Sequence, residues 1–297
     1  MKKSALFVIL VVFLSSAPLF ADGGSIPFKR NVTVFEPNQR AMIAWNGSDE
    51  ILLLSMDLKA SEATKVLEVL PLPSEPVVKK GDVETFRRAT ALINQKIRRP
   101  NTGRRRGGGR GGGGGSARPA GEVTFHQKIG AQDIHVTHVL DTGGFIDWVE
   151  KYLQSAGVEN PDIPAGIKKA VGQYLEEGFT WFVFYVVSLD EALKTGEAIQ
   201  YKFKTKFLYY PMKVTQTATG RTTIDLLVLS PRLLEKFPGI PSHEVQLRHE
   251  PVSITSRELR GLNPDMDTLL GHREDMKLRI WRIQGQASSF RQDLIAH

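Results

Sequence analysis

Short apolar runs separated by turn residues dominate the first part of the chain, and this pattern is typical of β-strands. Residues 39–45 and 50–58 form two such runs, with Asn46-Gly-Ser-Asp between them. An Asn-Gly turn between two apolar runs is a strong hairpin signal. We therefore expect the two runs to pair as antiparallel strands.

A central strand is predicted at residues 179–189, which read Phe-Thr-Trp-Phe-Val-Phe-Tyr-Val-Val-Ser-Leu. Such a short and nearly continuous apolar run is typical of a strand buried on both faces. We expect six side chains to be largely buried: Trp45, Trp148, Trp181, Phe182, Phe184 and Val186. Further strands are predicted at residues 32–34, 65–70, 123–129, 133–140, 198–203, 213–217, 222–229 and 276–283.

Helices are fewer. Residues 82–98 place apolar side chains at a period near 3.6, which predicts an amphipathic helix. Residues 145–153, with Asp141 or Thr142 as the cap, and residues 165–177 predict two more. Many strands, few helices and no regular alternation of the two predict an α+β fold, with mostly antiparallel sheet and a few packed helices.

The first residues, 1–21, have the parts of an export signal. Two lysines precede an apolar run over residues 5–14, and small residues follow. We expect cleavage between Ala21 and Asp22, so the protein would be periplasmic, on the cell surface or secreted. An uncleaved anchor is the alternative, but the apolar run is shorter than the roughly 20 residues that span a bilayer.

The absence of cysteine and the distribution of charge exclude several kinds of site. The chain has no cysteine, which excludes disulfides, thiolate metal sites and cysteine nucleophiles. The formal net charge is +7. However, removing the two lysines of the signal and seven arginines between residues 98 and 118 leaves 30 of the 39 basic residues against 32 acidic ones. The folded part is then slightly acidic, and no protein-wide field for nucleic acid is expected.

A Gly/Arg-rich tract holds this basicity. Residues 104–115 are only arginine and glycine, a composition that cannot bury apolar surface, so we expect a disordered insertion. Its arginines could make weak contacts with anionic envelope polymers, lipid head groups or extracellular DNA, and a solvated spacer is the alternative. The residues concerned are Arg104, Arg105, Arg106 and Arg110.

The predicted organisation has four parts. A signal peptide (1–21) precedes a β-rich half with one helix (22–98), a disordered linker (99–121) and an α+β half (122–297). No membrane span is expected in the mature chain.

No motif predicts catalysis or metal binding. Val139-Leu-Asp-Thr-Gly-Gly resembles the loop of aspartic proteases, but that chemistry needs two carboxylates and Asp141 precedes a helix that it can cap. His135 and His138 would point to opposite faces of a strand. The segment starting at Asp265 has leucines where a calcium loop needs an oxygen ligand and glycine. We therefore expect no catalytic residue, no metal, no cofactor and no specific nucleic acid.

A series of segments resembles the secreted bacterial family called domain of unknown function 2330. They follow in order at residues 41–58, 66–73 (Val-Leu-Glu-Val-Leu-Pro-Leu-Pro), 83–94, 129–140 (Ile-Gly-Ala-Gln-Asp-Ile-His-Val-Thr-His-Val-Leu), 145–149, 173–184 and 199–214. The resemblance covers roughly residues 26–234 and implies export. It assigns no activity and no site residues. The Gly/Arg tract and the absence of cysteine depart from the family pattern.

Two functions remain open at this point. One is a non-enzymatic envelope or secreted protein that binds an anionic polymer or another envelope protein through its β-rich fold. The other is an extracytoplasmic hydrolase with residues scattered among loops. Carboxylates, or His beside Ser, converging in one pocket would favour the hydrolase.

Overall fold

The computed structural model describes residues 24–98, 123–129, 132–230, 232–234 and 244–297. The predicted signal peptide, with Ala21 and Asp22, and the predicted linker, with its arginines, lie outside the described residues. The elements follow in chain order: β1 (Ser25–Pro27), β2 (Val34–Trp45), β3 (Asp49–Ala60), β4 (Thr64–Leu72), β5 (Val77–Lys80), α1 (Glu84–Arg98), β6 (Val123–Ile129), β7 (Gln132–His138), α2 (Thr142–Ser155), α3 (Ala165–Glu176), β8 (Trp181–Leu189), β9 (Lys194–Thr195), β10 (Ile199–Lys204), β11 (Leu208–Tyr210), a 3-10 helix (Lys213–Thr217), β12 (Arg221–Ser230), β13 (Val245–Leu247), β14 (Val252–Ile254), α4 (Ser256–Leu262), α5 (Pro264–Leu269), β15 (Met276–Gln286), a second 3-10 helix (Ala287–Ser289) and β16 (Leu294–Ala296).

Two large sheets form the frame. The five-stranded sheet has the order β1-β4-β8-β7-β6, and all its pairs are antiparallel. The nine-stranded sheet follows β13-β15-β12-β2-β3-β10-β5, with β14 added on β15 and β9 on β3. Its one parallel pair in this order is β12 with β2. The predicted α+β class with mostly antiparallel sheet is confirmed. Both sheets combine strands from before residue 99 with strands from after residue 122.

Side-chain alternation places the nine-stranded sheet between two apolar layers. Ala41 and Ile43 face the five-stranded sheet, whereas Met42 and Ala44 face α1, α4 and α5. Since successive side chains of a strand point to opposite faces, a run that is apolar at every position is buried on both sides. The molecule is therefore built in four layers, with α2 and α3 on the outer face of the five-stranded sheet.

The central strand was predicted correctly. β8 lies between β4 and β7, and Phe182 and Phe184 are 0% exposed. Phe145 of α2 packs on both rings at centroid distances of 6.0 and 5.9 Å. Burying such a ring stabilises the fold by about 1.5–3 kcal/mol. The prediction of burial was too strong for Trp45, Trp148, Trp181 and Val186, which remain partly exposed.

Several elements were predicted correctly from turn, periodicity and cap residues in the sequence. The hairpin of β2 and β3 around the Asn-Gly turn is confirmed, and so is the helix that begins just after Asp82. Asp141 caps α2, because its carboxylate accepts from Gly144 N at 2.8 Å.

The strand predicted at residues 213–217 is wrong, since this segment forms a 3-10 helix. Its backbone amides find side-chain acceptors instead of a neighbouring strand. Lys213 N donates to Asp293 Oδ1 at 2.6 Å, and Val214 N donates to Tyr174 Oη at 3.0 Å. Because the buried amides are satisfied in this way, no strand ladder is required.

Candidate functional site

An enclosed cavity between the two sheets gathers two carboxyl groups and two tyrosines. Glu36 and Glu68 are 7% and 4% exposed, and both line the cavity with Gln39, Tyr185 and Tyr210. Ser25 Oγ donates to Glu68 Oε1 at 2.5 Å, and Tyr210 Oη donates to Gln39 Oε1.

This cavity is too small for a substrate. Its volume of about 20 Å³ fits roughly one water molecule. Burial raises the pKa of Glu36 well above its ordinary value, and the nearby Glu68 raises it further, whereas a hydrogen bond from Gln39 lowers it. The two carboxyl groups interact electrostatically, but the cavity has no room for a reacting molecule.

The surface has larger grooves. One of them, of about 820 Å³, surrounds the end of β8 and has Phe28, Leu58 and Val187 in its lining. Several charged groups at its rim are paired within the protein, whereas Lys65 is exposed and forms no ion pair with a described residue. Lys194 Nζ lies 2.8 Å from Asp190 Oδ2, and Glu197 Oε1 lies 3.1 Å from Lys80 Nζ.

A second groove, of about 680 Å³, lies beside the turn that joins β2 and β3. We call it the tip groove; its lining includes Ser48, Pro73, Glu177, Phe179, Lys204, Lys206 and Phe207. Lys204 and Lys206 are exposed, and neither forms an ion pair with a described residue. The tip groove therefore offers free positive charge next to aromatic rings.

A further lysine extends the positively charged surface along β10. Lys202 and Lys204 are exposed and lie two positions apart, so their side chains share one face of the strand at a spacing of about 7 Å. Lys206 follows in the turn after β10, and we call the three the lysine row. Phe203 and Thr205, which lie between the lysines, and Tyr201, which precedes them, are buried, so the row lies on a packed strand.

Hydrogen bonds fix the turn that carries Lys206. Thr205 N donates to Ser48 O at 3.0 Å, and Thr205 Oγ1 donates to Phe207 O at 2.7 Å. Trp45 Nε1 donates to Thr205 O at 3.2 Å. Lys204 N donates to Ser74 Oγ at 2.9 Å. A cation on so constrained a backbone loses less conformational freedom on binding than one on a free loop.

Aromatic rings form the floor of the tip groove. Phe179 lies 5.1 Å from the ring centroid of Tyr209, and Phe207 lies 6.3 Å from it. Below these rings Asp293 is buried, and it accepts from Tyr174 Oη at 2.8 Å and from Lys213 N at 2.6 Å. Burial raises the pKa of Asp293 to about 6, although these hydrogen bonds and the charge of Lys213 lower it.

A third groove, of about 370 Å³, adjoins the tip groove at Gly47, which lines both. Its lining includes Trp45, Arg232 and His297. Gly47 has φ of +101°, a conformation that a residue with a side chain rarely adopts. The Asn-Gly turn thus separates two grooves that each carry cations.

Among the described histidines, His126 and His135 are register partners on β6 and β7, whereas the others contact different residues. His135 packs on Tyr152 and lies 3.4 Å from Asp133, whereas His138 stacks on Trp181 at 4.6 Å. His272 Nδ1 lies 2.7 Å from Asp267 Oδ2. Within the described ranges no group of three or more His, Cys, Asp or Glu side chains could hold a metal ion.

Two further sets of residues considered in the sequence analysis are the aspartates near Asp265 and the arginines of the Gly/Arg tract. Asp265 and Asp267 lie in the first turn of α5, as expected for a segment that is not a calcium loop. The anion contacts predicted for Arg104, Arg105, Arg106 and Arg110 fall outside the described residues. The lysine row was missed, although Tyr-Lys-Phe-Lys-Thr-Lys-Phe alternates apolar and basic residues and predicts a strand with a basic face.

Among the described helices, none is long and apolar enough to cross a membrane. Fold and surface together define an α+β protein with two packed sheets and a cationic surface groove. The chain belongs to the family "Uncharacterized protein conserved in bacteria (DUF2330)", whose profile matches residues 20–261.

Comparison with curated proteins finds no match. Among solved structures, the crystal structure of baculovirus P35 covers 92% of this chain and 99% of its own, with 9% identity and a TM-score of 0.43. A mutated baculovirus P35 after caspase cleavage covers 88% of this chain and 99% of its own, with 7% identity and a TM-score of 0.39. At TM-scores below 0.5 neither likeness bears on function.

Proposed function

We propose that this chain is an exported, non-enzymatic bacterial protein that binds an anionic polymer of the cell envelope through the tip groove and the lysine row. The observation that carries the proposal is the set Lys202, Lys204 and Lys206, which is exposed and unpaired with any described residue. Lysines about 7 Å apart on one strand face match a ligand with regularly repeated negative charges.

The aromatic floor favours a polymer with ring-shaped units. Phe207 is only partly buried at the groove, and Pro73 lies on the same wall. Apolar faces of sugar rings pack on such surfaces, while carboxylate or sulfate groups would reach the lysines. An anionic polysaccharide therefore satisfies both parts of the groove.

Export supports the same ligand class. Residues 1–21 have the pattern of a cleaved signal, and a periplasmic or surface protein meets anionic polymers rather than nucleotides. N-terminal sequencing of the mature protein should begin at Asp22. An intact Met1 recovered with the membrane fraction would favour an anchor instead.

The hydrolase has weaker support. Two carboxyl groups do converge, at Glu36 and Glu68, but their cavity has room for roughly one water molecule. General acid–base catalysis needs the acid within hydrogen-bond reach of the substrate. We therefore favour the binding function.

Retention on immobilised dextran sulfate tests the proposal. Lys204→Glu with Lys206→Glu should weaken retention about tenfold at low salt and reduce its salt dependence, because two cations are lost and two repelling charges are added. Lys151→Glu with Lys169→Glu is the matched control, since both lysines are exposed on α2 and α3 and the net charge changes equally.

The contribution of the predicted Gly/Arg tract to retention is tested with a separate deletion variant. A chain without residues 104–115 should keep its retention by the lysine row. If the two double variants behave alike, or if only the deletion abolishes retention, the tip groove is not the binding site.

A further inference from the structure

The tip groove is connected to the buried acid beneath it by one lysine. Lys213 has a side chain that is 4% exposed, and its Nζ lies 2.6 Å from Glu177 Oε2, in the wall of the groove. The same ammonium lies 4.1 Å from the centroid of the Tyr174 ring. A single cation thus contacts both the groove wall and the Tyr174–Asp293 pair.

Three elements donate hydrogen bonds to the carboxyl group of Asp293. Tyr174 of α3 donates at 2.8 Å, Tyr209 of β11 donates at 3.4 Å, and Lys213 N of the 3-10 helix donates at 2.6 Å. Asp293 itself belongs to the segment that continues into β16, which pairs with β11, and His297 after β16 lies beside Phe207. Protonation of Asp293 therefore changes a charge that lies directly below the aromatic floor.

The charged or titratable groups near Asp293 among the described residues include Lys213, Glu177 and Glu50. Lys213 is positive, Glu177 is negative, and Glu50, which accepts from Tyr209 N at 2.8 Å, is buried behind the same tyrosine. Burial raises the pKa of Glu50 well above its ordinary value. Loss of the Asp293 charge leaves Lys213 balanced by Glu177 alone, and the net charge of the region rises by one.

We propose that the tip groove is an acid-responsive anion site, in which protonation of Asp293 removes a negative charge beneath the groove and strengthens anion binding. This inference rests on the proposed function. The direction follows from Coulomb attraction, which is stronger near a buried network than in bulk water. Since the pKa of Asp293 is about 6, the change falls between neutral and mildly acidic pH.

Binding of dextran sulfate at about pH 5 and about pH 7.5 tests the inference, because the sulfate groups of this probe stay ionised at both. The wild-type chain should bind about three- to tenfold more tightly at the lower pH. Asp293→Asn should bind with the acid-form affinity at both pH values, since the amide oxygen can still accept from Tyr174 Oη and Lys213 N and the side chain carries no charge.

His297→Gln is the matched control, because His297 is an imidazole side chain that lines the adjoining groove. It should keep the pH dependence. Tyr174→Phe removes a hydrogen bond that lowers the pKa of Asp293, so it should move the midpoint of the binding change to higher pH. This variant keeps the inference testable if Asp293→Asn does not fold.

The two proposals fail differently. Binding without pH dependence in the wild-type chain, or full pH dependence retained in Asp293→Asn, would overturn the acid response alone. Loss of the pH dependence in His297→Gln would assign it to the histidine and overturn the inference as well. No binding at either pH would overturn the proposed function itself.

Discussion

Among the described residues, the buried carboxyl groups of Glu36 and Glu68 and the buried carboxyl group of Asp293 differ in what surrounds them. Glu36 and Glu68 lie between the sheets around a cavity of about 20 Å³. Asp293 lies below the tip groove and reaches its wall through Lys213 and Glu177. In both places burial raises a pKa, but only the second has a cation and a path of contacts to the surface.

This comparison teaches that a raised pKa is not by itself a sign of function. Structural networks perturb titration as strongly as active sites do. Proton uptake by Glu36 can change only the stability of the fold, because the cavity excludes ligands. Proton uptake by Asp293 can change both stability and the charge offered at the groove.

The largest loss of stability is expected at Phe182, an apolar site that serves as a reference for the substitutions of the buried carboxyl groups. Phe182→Ala removes a ring that is 0% exposed between β8 and α2, and it should lower the free energy of unfolding by about 3–5 kcal/mol. Urea denaturation measures this. An unchanged midpoint would mean that the central layer is packed differently.

The second largest effect on stability is expected at Asp293, and it depends on pH. Its pKa is raised from 3.8 to about 6, so the folded state binds the proton more tightly than the unfolded state. Its contribution to stability is therefore complete below about pH 4 and is lost as the pH rises through 6. Asp293→Asn should raise the free energy of unfolding at neutral pH by up to about 3 kcal/mol and flatten this dependence.

Denaturation at a series of pH values from about 4 to 8 provides the measurement. At the acid end the variant and the wild-type chain should be nearly equal in stability. A variant that is less stable than the wild type at neutral pH would show that the ionised carboxylate is stabilised by its neighbours more than it is destabilised by burial.

A smaller change in stability is expected from a substitution of Glu36, which lines the small cavity together with Glu68. Glu36→Gln replaces a buried acid by a neutral group of the same shape, and it should stabilise the fold at neutral pH by about 1–2 kcal/mol. It should leave retention on dextran sulfate unchanged, in contrast to Asp293→Asn. A change of retention would contradict the view that this cavity is sealed from ligands.

The smallest effect concerns the turn between the grooves. Gly47→Ala meets no atom within 4 Å, but φ of +101° is unfavourable for alanine. We expect a loss of about 1 kcal/mol in thermal denaturation. Gly261→Ala in α4 also meets no atom within 4 Å and is the control, where alanine should be neutral or stabilising.

Much of the fold was predictable because its signals are local. The hairpin of β2 and β3, the cap at Asp141 and the buried strand β8 each depend on residues within about ten positions. The segment 213–217 was mispredicted because its amides bond to Tyr174 and Asp293, about 40 and 80 positions away. The site was predictable only in part: alternation in β10 marks a basic face, but nothing local places Glu177 beside Lys213.

The sequence by itself determined the α+β class, the position of most strands and helices, and the membership of the family, because periodicity, turns and ordered motifs are properties of neighbouring residues. Only the tertiary structure decided which charges remain free. Lys204 and Lys206 stay unpaired with described residues, whereas Lys213 is held by Glu177, a residue 36 positions away. The physical reason is that pairing and burial depend on contacts between distant segments, which alternation along one strand cannot specify.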